Sequence, residues 1–168
     1  MKKLLLAGLL LVSGIAFSAS VATKVDGQLD IKAEVVRGLS ISTSPLDFGL
    51  VPQGGKNIGE ATTGSITLQG QGGRKVLLTF KDMISGLDVK NSLVHLAGPK
   101  DEKAYWLAAS LKINNTDLSD FKNVILDNDK AQSFKVTGTI GEVAGDAETG
   151  KYNGAVKIAA TYEYSTGK

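Results

Sequence analysis

The stretch VATKVDGQLDIKAEV, residues 21–35, decides the fold class. Val21, Val25, Leu29, Ile31, Ala33 and Val35 stand at odd positions, and Lys24, Asp26, Gln28, Asp30, Lys32 and Glu34 at even ones. An apolar residue at every second position turns one side of an extended chain toward a core and the other toward water, which is the pattern of a half-buried β-strand. Gly27 divides the run into two elements, Val21 to Gly27 and Leu29 to Val35.

Working outward toward the N-terminus, Lys2 and Lys3 precede an apolar run from Leu4 to Val12, followed by small residues at Ala16, Ser18 and Ala19. This is the layout of a signal peptide over 1–18, cut after Ser18, with a second candidate cut after Ala22. A membrane-spanning helix needs about 20 consecutive apolar residues. Here Ser13 and Gly14 interrupt the run, so the sequence predicts export without a permanent membrane anchor. The alternating stretch then lies at or near the mature N-terminus, where a strand with a free end can pair with another subunit.

The chain has no cysteine, which excludes lipid attachment through a thiol and disulfide staples alike. Burial must hold the fold, and about 150 mature residues suffice for one domain with a core. Lys and Arg number 19 against 17 Asp and Glu. Removing Lys2 and Lys3 leaves 17 against 17, a neutral chain without the basic stripe that nucleic-acid binding requires.

Beyond Glu34 short alternating runs recur between Gly, Pro, Asn and Asp punctuation, the signature of an all-β sandwich or barrel. The spacing predicts strands over 29–41, 46–51, 62–69, 75–81, 87–96, 104–113, 133–140 and 152–164. The one segment with helical character, 117–123, where Asp117 or Ser119 could cap a short turn, is too short for a stable helix. The last strand is the clearest, with Tyr152, Val156, Ile158, Ala160, Tyr162 and Tyr164 on one face and Asn153, Lys157, Thr161 and Glu163 on the other. No repeat or linker divides the chain. The domain reading is 1–18 signal, 19–28 N-terminal extension and 29–168 a single sandwich.

Little in the sequence supports catalysis, a cofactor or a metal. His95 is the only histidine, and without cysteine most routes to an activated nucleophile are closed. Gly145, Gly150 and Lys151 begin a phosphate-loop pattern that fails at Tyr152. Asp127, Asn128 and Asp129 lack the glycine and distal glutamate of a calcium loop. Trp106, on a face with Ala108, Ser110 and Lys112, is the candidate for stacking a ligand such as a sugar ring. Tyr105 runs in phase with Leu107, Ala109, Leu111 and Ile113, so it is expected to point inward.

Two motifs carry a resemblance. Leu46-Asp47-Phe48-Gly49-Leu50-Val51-Pro52-Gln53-Gly54 is followed, far downstream, by Gly150-Lys151-Tyr152-Asn153-Gly154-Ala155-Val156 leading into a final strand with Tyr162. In that order, and behind a signal peptide, the chain resembles bacterial fimbrial subunits, the pilins with an immunoglobulin-like β-sandwich exported by the chaperone-usher route. The resemblance implies a sandwich lacking its last strand, completed by the N-terminal extension of a neighbouring subunit. On this reading Val21, Thr23, Val25 and Gly27 form the donor strand. The acceptor groove is lined by Leu29, Ile31, Ala33 and Val35 of the first strand and by Val156, Ile158, Ala160 and Tyr162 of the last. The implied partners are further copies or related pilins, a periplasmic chaperone and an outer-membrane usher. The chain then ends in a surface fibre serving adhesion. Two alternatives stand beside it: 21–35 is one long strand of its own sandwich, and the protein is a secreted monomer that binds carbohydrate or a surface protein through its loops.

Overall fold

The computed structural model describes residues 29–100 and 106–163. Contacts divide the chain into two units, Met1–Glu34 and Val35–Lys168. In the described part of the first unit, 29–34, no residue belongs to a strand, and Leu29 and Ile31 are 82% and 86% exposed.

The second unit is an all-β sandwich without a helix among the described residues. Its strands are β1 (Ser40–Ser44), β2 (Lys56–Gly59), β3 (Gly64–Gln69), β4 (Lys75–Asp82), β5 (Leu93–Leu96), β6 (Leu107–Ile113), β7 (Thr116–Asp117), β8 (Asn123–Ile125), β9 (Gln132–Glu142) and β10 (Val156–Tyr162). One sheet runs β1-β3-β9-β6-β5, with β2 also on β9 and β7 also on β6; the other runs β10-β4-β8. All ladders are antiparallel.

Alternation explains the layering. In β4, Val76, Leu78 and Phe80 turn inward between exposed Lys75, Leu77, Thr79 and Lys81. In β3, Ile66 and Leu68 face them from the other sheet, joined by Phe134 and Val136 of β9 and Ile113 of β6. Each aliphatic side chain so buried contributes about 1.5–3 kcal/mol. Phe121 meets Phe134 edge-on at 5.3 Å. A second cluster, Leu107, Ala109, Ile140, Val143 and Ala147, is covered by Phe48, Val51, Ile58 and Tyr152.

Several expected elements differ. The first strand begins at Ser40, not at 29, and Val35 is 95% exposed. Residues 46–51 are not a strand: Asp47 makes an isolated bridge to Thr62, and its carboxylate accepts the Gly49 N–H at 2.8 Å in a tight turn. Gly49 takes φ +67, and a Cβ there would press on Ala61, so the Phe-Gly pair is turn chemistry. The segment 117–123 forms a single hydrogen-bonded turn from Asp117 to Phe121 between β7 and β8. Too few residues lie between these strands to propagate a helix.

Candidate functional site

Among the described residues both sheets end in edge strands without a further partner, β5 and β8 at one end of the orders and β1 and β10 at the other. Between β1 and β10 opens a cleft of about 320 Å³. Thr43, Ser44, Pro45 and Leu46 form its β1 wall, and Gly154, Ala155, Val156 and Ile158 its β10 wall. Its floor is the core itself, with Ile66, Phe80, Val94, Leu111 and Val136 reaching it from both sheets. An apolar trough bounded by two unpaired backbone edges is the surface that an added β-strand covers, since the strand supplies both the missing hydrogen bonds and the missing side chains.

The cleft has one pinned end. The Tyr162 hydroxyl donates to the Arg37 carbonyl and accepts the Gln71 N–H, both at 2.7 Å. It thereby ties the end of β10 to the chain entering β1 and to the β3–β4 turn. Arg37 is held further by Asp129, through an ion pair at 3.3 Å and a bond to its carbonyl at 3.1 Å. The approach to β1 is therefore anchored at Arg37.

At the other end, Ala97 pairs with Asn153, and Met83 N–H donates to the Ala155 carbonyl at 2.9 Å. Gly154 packs so closely on the His95 carbonyl that a Cβ would collide with it. The Gly-x-Tyr-x-Gly stretch thus lays the start of β10 flat against β5. Beside it, the Asp82 carboxylate is 2% exposed and accepts four hydrogen bonds. The donors are His95 Nδ1 at 2.6 Å, the His95 N–H at 3.2 Å, the Ile84 N–H at 2.9 Å and the Ser85 hydroxyl at 2.8 Å. Burial opposes the charge, but the His95 bond and the other donors outweigh it and hold the Asp82 pKa below the usual carboxylate value. Asp82 belongs to one sheet and His95 to the other, so the pair bolts the sheets together at the cleft mouth.

Val156, Ile158, Ala160 and Tyr162 all turn their side chains onto the core from β10 as the alternation requires, with Val156 and Ile158 in the cleft wall. Leu29, Ile31, Ala33 and Val35 do not line it: all four are exposed and none lies in a strand. Their place is taken by Thr43 to Leu46, because β1 pairs with β3 only from Ser40 onward. Val21, Thr23, Val25 and Gly27 lie outside the described residues, as does Tyr105. Trp106 is half-buried, its ring tilted against His95 at 5.6 Å and its indole N–H buried without a hydrogen-bond partner. That packing is not an open stacking platform. Sequence reasoning missed Asp82, although a signal existed: an acidic residue in phase with Val76, Leu78 and Phe80 must turn inward and needs donors there.

Among the described residues no group of three or more His, Cys, Asp or Glu is arranged to hold a metal, and no helix is long and apolar enough to cross a membrane. No protein-family model and no curated protein sequence matches the chain.

Proposed function

We propose that the protein is a structural subunit of a bacterial surface fibre, exported to the cell surface and polymerised by donor-strand complementation. The observation that carries this reading is the apolar cleft between the free edges of β1 and β10, floored by core residues of both sheets. An apolar cleft beside two unpaired edges is a surface that an added strand covers. A strand from a neighbouring subunit covers both at once, and repeating the exchange builds a linear, head-to-tail polymer. An unfilled cleft exposes apolar surface, which accounts for the periplasmic chaperone and outer-membrane usher that the fimbrial resemblance implies. Adhesion is then a property of the assembled fibre.

The test is assembly of the purified mature chain. On concentration it should give a ladder of oligomers by size-exclusion chromatography and filaments by electron microscopy. Ile158→Glu, which places a charge in the cleft wall, should keep the strand signature in circular dichroism and lose the ladder. A parent chain that stays monomeric throughout, or an Ile158→Glu variant that polymerises equally well, refutes the reading.

A further inference from the structure

We infer that the segment occupying this cleft is Leu29–Val35 of a second copy, and not the more N-terminal Val21–Gly27. The inference rests on the fibre reading and assigns its partner segment. Its first support is exposure. Leu29, Ile31 and Val35 are 82%, 86% and 95% exposed, an expensive arrangement for large aliphatic side chains that alternate in perfect phase with Asp30, Lys32 and Glu34. A strand pattern whose apolar face is in water describes an element that completes its burial elsewhere.

Composition is the second support. Leu29, Ile31, Ala33 and Val35 present three large aliphatic groups and one methyl over seven residues, about 20 Å at the rise of a strand. That equals the seven residues of β10, of which Val156 and Ile158 line the cleft. Val21, Thr23, Val25 and Gly27 offer two valines, a hydroxyl and a bare backbone, so they cover less of an apolar floor.

Chain direction argues for a second copy. Arg37, just before β1, touches Tyr162 at the end of β10, whereas Thr43 and Ser44 at the end of β1 share the cleft with Val156 near the start of β10. The two edges therefore run antiparallel across the cleft. For Leu29–Val35 to enter the cleft of its own domain, the chain would have to reverse at Val36, between exposed Val35 and pinned Arg37. The tightest hairpins need two residues for that turn. It would also lie parallel to β10. A segment from another copy carries no such turn constraint and can enter in either direction, antiparallel to one edge and parallel to the other.

The experiment compares Ile31→Asp and Val25→Asp in the full mature chain. Ile31 lies outside the sandwich strands, and melting temperature serves as the folding control for both variants. Ile31→Asp should stay folded and lose the oligomer ladder, while Val25→Asp should polymerise like the parent. A synthetic peptide of residues 28–36, added to folded Ile31→Asp at about 100 times its dissociation constant, should raise the melting temperature by about 5–10 °C. A peptide of residues 20–28 at the same concentration should leave it unchanged. If Val25→Asp abolishes the ladder and Ile31→Asp preserves it, this inference is overturned while the fibre reading stands. If the parent itself never polymerises, both fall.

Discussion

Asp82 offers the sharpest test of how this sandwich is held together, because one carboxylate joins its two sheets. In Asp82→Ala the His95 ring N–H, the His95 and Ile84 backbone N–H groups and the Ser85 hydroxyl all lose their acceptor at a site only 2% exposed. Leaving several donors without their acceptor, at about 1–3 kcal/mol for each that stays buried, costs about 3–5 kcal/mol in total. For a domain of this size that is a fall in melting temperature of about 10–20 °C. Asp82→Asn is gentler. One oxygen position accepts three of the bonds and the other accepts one, so an amide must set its NH2 against at least one donor, at about 1–3 kcal/mol. Acid provides a second axis. Folding lowers the Asp82 pKa, so the unfolded chain takes up the proton first. The stabilisation is complete above the ordinary carboxylate range near 3.8 and drains away as pH falls through the lower folded value. Urea titrations of parent and Asp82→Asn between pH 6 and about pH 2.5 should therefore show curves that converge toward the acid end. An Asp82→Ala protein that melts within a degree of the parent, or a parent-to-Asn difference that stays constant through acid, refutes the reasoning.

Tyr162→Phe removes both bonds that pin the chain entering β1, and should cost about 1–3 kcal/mol by urea titration with an unchanged slope. Gly154→Ala forces a methyl against the His95 carbonyl and displaces the cleft wall; it should cost about 1–3 kcal/mol and shorten the oligomer ladder on native gels. Leu68→Ala, at a fully buried position between the sheets, should cost about 2–5 kcal/mol, whereas Ile125→Ala, 62% exposed on β8, should change stability by no more than about 0.5 kcal/mol in the same calorimetric comparison.

Much of the architecture was legible from local pattern. Val76 to Phe80, Leu107 to Ile113 and Val156 to Tyr162 alternate in the sequence as they do in the sheets, because side-chain direction along a strand depends only on the residue's own position in the pleat. The Phe48-Gly49 motif was legible as a pattern but not as a break in the strand, since the bridge from Asp47 to Thr62 depends on a residue fifteen positions away. The stretch from Leu29 to Val35 shows the limit most directly. Its period is that of a strand, yet none of these residues belongs to one, because alternation prescribes a face and says nothing about which edge will meet it.

By itself, then, the sequence determined an all-β chain, the faces of its longer strands and the apolar character of its N-terminal segment, all consequences of a two-residue period and of turn residues acting over a few bonds. The tertiary structure alone decided that β1 and β10 flank an apolar cleft without pairing, and that Asp82 and His95 meet across the two sheets. Those are outcomes of pairing between segments tens of residues apart, and the free energy that selects them comes from burial and hydrogen bonding that no local window contains.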